Sequence, residues 1–185
     1  MRVTFFLLAA ILLLPACAEY HAIGSSRVQV AHRYTIQPPP GWNARQGSRD
    51  AVWTADGDIL ERILFTTGLR PGDTLFPDAQ GTQPPTVPTG MLPTDAMEFV
   101  SESLRAQQLL AVTTSHLQPR PFGSVAGFQF EIDYVTKTGL EEHGIVMGTI
   151  LSERLYLILY SGARLHYFPK YREDVLRMFE SIELQ

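Results

Sequence analysis

The sequence predicts an α+β fold: an antiparallel β-sheet flanked by two amphipathic helices. Three observations predict it. Phe128, Phe130, Ile132 and Tyr134 alternate with Gln129, Glu131 and Asp133, the period of two that marks a strand with one buried face. The apolar runs around it are joined by short turn signals, which pairs neighbouring strands antiparallel. Two further segments repeat their apolar residues at helical spacing, and each must bury that stripe against the sheet.

The chain opens with Arg2 and an apolar run from Phe5 to Leu14 that Pro15 ends. A helix needs about 20 apolar residues to span a bilayer, so the run is too short to cross and fits a secretory signal. Leu14-Pro15-Ala16-Cys17 resembles the lipobox of bacterial lipoproteins, although a residue smaller than Pro15 is commoner at that place. The resemblance implies that residues 1–16 are a signal peptide, that Cys17 carries diacylglycerol on its sulfur, and that its new amino group is acylated, as by palmitate. Ala16-Cys17-Ala18 also fits the small-x-small site of ordinary signal peptidase, whose cut after Ala18 would discard the cysteine. A single acyl chain holds a protein only marginally, whereas two or more anchor it stably. Ala18, where Asp retains enterobacterial lipoproteins on the inner membrane, points by the same resemblance to the outer membrane and a domain facing the periplasm.

What remains is one domain by length, and a chain of this size buries about 70% of its unfolded surface. Cys17 is the only cysteine, so no internal disulfide supports it. The formal net charge of −4 falls by one more unit when Arg2 leaves with the signal. Lys137 and Lys170 are the only lysines and no basic stripe is present, which argues against nucleic acid.

Residues 17–31 read as a tether, of mixed polarity and without period, ahead of a single domain over 32–185. His32 to Ile36 is a strand that Gln37-Pro38-Pro39-Pro40-Gly41-Trp42 stops, since proline donates no ladder bond. Ala51 to Thr54 and Ile59 to Thr66 form a hairpin about Asp56-Gly57. A Pro/Gly-rich stretch over 68–93 follows; a loop this long inside a domain is uncommon and is either functional or a mobile insertion. Thr94 or Asp95 caps a helix whose Met97, Val100 and Leu104 share a face. Strands are expected over 111–115, 127–135, 144–151 and 154–161. A closing helix over 167–180 places Tyr171, Val175, Met178 and Ile182 on one stripe.

Tyr34-Thr35-Ile36 running into Pro40-Gly41-Trp42, and the closing Val175-Leu176-Arg177-Met178-Phe179-Glu180-Ser181-Ile182 after paired strands, resemble PsbP-like domains over most of residues 33–183. The resemblance implies an α-β-α sandwich, a fold of photosystem accessory proteins, a Ran-binding protein and many bacterial proteins without an assigned role. It implies a binding role over a catalytic one, and it carries no functional residues across.

No catalytic signature stands out. Ser161-Gly162 follows a strand but lacks the nucleophile elbow, and neither a phosphate loop nor a dinucleotide fingerprint occurs, so no cofactor is expected. His21, His32, His116, His143 and His166 pair at no metal-ligand spacing. Glu141-Glu142-His143 reads as a solvated hairpin tip. The aromatic residues Trp42, Trp53, Tyr156, Tyr160 and Tyr167 could line a pocket or a protein contact, although such residues more often fill a core. The expectation is a non-catalytic, membrane-anchored envelope module that meets another envelope protein through the 68–93 loop. Its rivals are a periplasmic carrier of a small ligand or lipid and an enzyme of unrecognised type.

Overall fold

The computed structural model describes residues 20–30, 32–46, 50–77 and 83–185. Residues 1–16, expected to be a signal peptide, and Cys17 lie outside these residues. In chain order the elements are β1 His21–Ala22, β2 Val28–Val30, β3 Tyr34–Ile36, β4 Asn43–Gln46, β5 Asp50–Thr54, β6 Glu61–Thr66, α1 Pro93–Ala106, β7 Leu110–Pro119, β8 Phe128–Val135, β9 Glu141–Leu151, β10 Arg154–Ala163, α2 Tyr167–Glu180 and β11 Glu183–Leu184.

Eight strands form an antiparallel sheet in the order β1-β4-β5-β6-β10-β9-β8-β7, and β11-β3-β2 form a small second sheet. The centre is β10, which pairs with β6 through Ile158↔Phe65 and with β9 through Ile158↔Met147. The alternating residues of β8 and Leu155, Leu157 and Leu159 of β10 face α1. Tyr156, Ile158 and Tyr160 face α2. β10 is apolar from Leu155 to Tyr160 because both of its faces are covered there.

The sheet is roughly 34 Å wide at about 4.8 Å per strand, and one helix covers only about 10 Å of it. Other segments close the rest. On the α2 face the small sheet lays Val30, Tyr34 and Ile36 against the core. On the α1 face the Pro/Gly-rich stretch does so: Leu69 exchanges two 2.8 Å backbone bonds with Leu155, and the Gly72 and Val87 amides donate to Val87 and Asp73 at 2.9 Å. Leu69, Val87 and Met91 are buried there. Gly68 starts this stretch at φ +93°, and a Cβ on it would stand 2.7 Å from the Tyr156 ring, so only glycine fits. Over its described residues the stretch is thus a packed cover; residues 78–82 lie outside the description.

Two boundaries differ from those expected. Residues 20–30 do not form a free tether. Ile23 donates to the Trp42 carbonyl at 2.9 Å, β1 pairs with β4, and β2 pairs with β3. Arg27 holds Thr35 Oγ1 at 3.1 Å and pairs with Glu183 at 3.3 Å. Strands of two or three residues are too short to show a period, so they leave no mark in the sequence. Helix α1 begins at Pro93, whose missing N–H costs nothing in the first turn, and Asp95 reaches back to accept the Leu92 amide at 2.8 Å.

The outer strand β7 is irregular. Its register against β8 shifts between Leu110 and Thr113 and again between Ser115 and Gln118. Ala111 and His116, inside those two intervals, have φ of 50° and 55°, the left-handed backbone typical of bulges.

Candidate functional site

Four of the five aromatic candidates are buried packing residues, on the side of the core alternative. Trp42 lies edge-on to Tyr160 and Tyr171, with ring centres 6.5 and 5.3 Å away. Trp53 packs on Phe65 at 4.6 Å. Tyr156 is buried beside Gly68. The Tyr160 hydroxyl donates toward the Phe168 and Tyr167 carbonyls, at 2.9 and 3.1 Å, tying β10 to the start of α2. Tyr167 alone is half-exposed. The reason is geometric: alternation puts Tyr156 and Tyr160 on the sheet face that α2 covers. Burial raises the ionisation of Tyr160 well above the ordinary tyrosine value, and that of Tyr34 likewise.

The Glu141-Glu142-His143 segment is also not a solvated tip. The tip is at Thr136 to Leu140, whose backbone bonds close the turn, and the acidic pair opens β9. Glu142 is buried on the α1 face with Tyr134 and Ser161. The Tyr134 hydroxyl donates to Glu142 Oε2 at 2.5 Å and lies 2.9 Å from Ser161 Oγ and 3.2 Å from Arg62 Nη2. Burial raises the Tyr134 ionisation, Arg62 opposes that, and Glu142 adds to it. Ser161, fully buried and committed to this network, is unreachable as a nucleophile. His143 points to the α2 face, where Nδ1 meets Asp133 at 2.6 Å and its ring stands edge-on to Phe168 at 4.4 Å. Among the described residues no group of three or more His, Cys, Asp or Glu is arranged to hold a metal ion.

A ligand pocket usually offers about 300–1,000 Å³. The cavity against Trp53, Val28 and Ala51 holds about 40 Å³, and that beside Met91, Ile150 and Leu155 about 90 Å³. Two larger spaces are open grooves: about 390 Å³ between Pro38–Pro40 and the Asp174–Ser181 end of α2, and about 370 Å³ between Gln83, Pro85 and the end of α1. The second is bordered by the Pro/Gly-rich stretch, so that stretch both covers the core and walls a surface groove.

The end of the sheet where β6 starts and β10 finishes was not legible as a unit. Ala163 donates to the Leu60 carbonyl at 2.9 Å, and Lys170 and Tyr171 both bind Asp56 Oδ2, at 2.5 and 2.7 Å. These bonds join the β5–β6 turn to the β10–α2 turn. Each turn exposes one large apolar side chain, Ile59 at 76% and Leu165 at 93%. The two residues are 106 positions apart in sequence and share one sheet end only through pairing of β6 with β10, which local sequence patterns do not report.

No protein-family model matches the chain, and no curated protein does. Solved structures do. The cyanobacterial PsbP protein CyanoP of Synechocystis sp. PCC 6803 superposes with a TM-score of 0.59 at 13% identity, over 97% of this chain and 99% of that one. The chain has the PsbP-like fold. The Saccharomyces cerevisiae Ran-binding protein Mog1p shares the PsbP-like arrangement at TM-score 0.53 and 12% identity, over 88% and 96% of the two chains. LpqN of Mycobacterium tuberculosis, described as involved in cell envelope biogenesis, does so at 0.50 and 13%, over 89% and 87%. The PsbP-like fold is therefore carried here by a sequence only 12–13% identical to these three.

Proposed function

We propose that this protein is a non-catalytic accessory module of the bacterial cell envelope, anchored by lipid on Cys17 and facing the periplasm, on the outer membrane by the Ala18 criterion. The observation that carries the reading is the combination of a lipobox-like Leu14–Cys17 segment with a PsbP-like domain. The polar clusters of that domain are spent on structure, as in the Tyr134–Glu142–Ser161 network. The names of the similar proteins support a binding role: one is a Ran-binding protein and another belongs to envelope biogenesis. The partner is another envelope protein, and the groove of Gln83, Pro85 and α1 is the place where the Pro/Gly-rich stretch meets it.

The rival reading, a carrier of a small ligand or lipid, has less support, since the cavities against Trp53 and Met91 are far below ligand size. The test is in-cell crosslinking with residues 77–84 replaced by a short Gly/Ser link, which spares the buried Leu69, Val87 and Met91 and the core-packed Leu75 and Phe76. Loss of one specific envelope crosslink is expected. An unchanged set of crosslinks would refute the loop as the contact. Mass spectrometry of the mature N-terminus reports the anchor independently, as acyl mass on Cys17 or its absence.

A further inference from the structure

We propose that the sheet end bearing Ile59 and Leu165 lies against the phospholipid bilayer, so that the domain rests on the membrane surface. The inference rests on the anchored reading above.

The argument starts from the length of chain before the domain. Tyr20 is already docked: its hydroxyl donates to Asp58 Oδ2 at 2.7 Å, and the Arg45 guanidinium stands 5.7 Å from its ring centre. Two residues, Ala18 and Glu19, separate Cys17 from Tyr20, and the three Cα steps between them reach about 11 Å when fully extended. A lipid on Cys17 therefore holds Tyr20 close to the bilayer surface, where a 15-residue tether would have left the domain free to tumble. Asp58, the partner of Tyr20, is followed directly by Ile59. The turn that carries Ile59 is joined to the Leu165 turn by the Leu60–Ala163 bond and by Asp56 with Lys170 and Tyr171. The two most exposed large apolar side chains among the described residues thus belong to the part of the surface that the anchor brings to the lipid.

The chemistry of the rim fits a bilayer interface. Tyr167, half-exposed beside Leu165 with Lys170 Nζ 5.8 Å from its ring centre, is the kind of amphipathic side chain that sits at head-group level. Leu110 is 60% exposed at the same sheet end, since it pairs with Val135, which pairs with Glu141. Leu92, also 60% exposed, lies at the far end of α1, a helix of 14 residues and so about 21 Å long. Acidic Asp56, Asp58 and Glu141 offset Lys170 and Arg164 at this rim, so the contact is apolar and does not depend on anionic lipid.

Because Cys17 is the only cysteine and its thiol is consumed by the lipid, a probe can be placed on one new thiol. The full lipidated protein is prepared as Leu165→Cys and, separately, as Leu92→Cys, each labelled with an environment-sensitive fluorophore and reconstituted into phosphatidylcholine vesicles. The 165 probe should shift to the blue and be quenched by spin-labelled lipid, while the 92 probe stays at its aqueous wavelength and unquenched. Adding Ile59→Asp to the Leu165→Cys protein should abolish most of the shift. If acyl mass is present on Cys17 and the 165 probe is as wet as the 92 probe, this orientation is overturned and the anchor stands; the exposed pair then serves a protein partner. A mature chain without acyl mass overturns the anchor, and the orientation with it.

Discussion

The two faces of the sheet are closed by the same device and finished differently. Each has one helix and one non-helical cover. On the α1 face the cover is the Pro/Gly-rich stretch, and the buried polar atoms of Tyr134, Glu142 and Ser161 satisfy one another. On the α2 face the cover is the three-stranded sheet, and the buried Tyr34 hydroxyl and Trp42 Nε1 have no protein partner. Unpaired buried polar groups cost about 1–3 kcal/mol each. The α1 side has unpartnered atoms too, Ser103 Oγ on the helix and Gln107 Nε2 at its end, but on the α2 face they belong to two large aromatic side chains of the core.

The largest effect that separates them is expected on the α1 face. Phe130→Ala removes a fully buried ring between β8 and α1 and should cost about 3–5 kcal/mol in urea unfolding; a loss near 1 kcal/mol would mean that α1 is loosely seated. Next comes Glu61 on the α2 side. Its Oε1 accepts Thr54 Oγ1 and the Ala55 and Asp56 amides at 2.8, 2.6 and 2.8 Å. Glu61→Ala orphans the two amides, while Thr54 Oγ1 keeps the Glu61 backbone carbonyl at 2.8 Å, and should cost about 2–4 kcal/mol, with Glu61→Gln recovering much of it. Val87→Ala tests the irregular cover: two buried methyl groups are worth about 2 kcal/mol, whereas a cover that is merely draped would lose a few tenths.

Tyr34→Phe is the smallest change, and its sign is opposite. It removes a buried hydroxyl without a protein partner and should leave stability unchanged or raise it by up to about 1 kcal/mol. It also bears on alkali. Burial raises the folded-state ionisation of Tyr34, Tyr134 and Tyr160 above the ordinary value of 10.0. Above pH 10 the unfolded chain releases protons that the folded chain keeps, so stability is intact below that pH and falls as pH rises beyond it. The midpoint of alkaline unfolding, followed by circular dichroism, should move upward in Tyr34→Phe and in the Tyr34→Phe/Tyr160→Phe pair.

The fold class, both helices and the strands from β5 onward were legible because their periods run for five residues or more: β8 alternates cleanly and the α2 stripe is complete. The strands β1, β2, β4 and β11 were not, because strands of two to four residues are defined by the partner they find. The site was harder to read. Aromatic residues near one another in sequence leave pocket, contact and core open, and only the sheet shows that the even-numbered ones on β10 face α2 and the core. Ile59 and Leu165 looked like ordinary members of a strand and a turn, and only the β6–β10 pairing makes them neighbours.

The irregular edge of β7 has a consequence for how this protein can be recruited. A straight outer strand would offer its free amides and carbonyls to any extended peptide, and so to self-assembly. The bulges around Ala111 and His116 interrupt that row twice in ten residues, and the opposite margin of the sheet is the two-residue β1. Strand addition to the eight-stranded sheet is hindered at both margins, so recognition at this sheet has to be written in side chains.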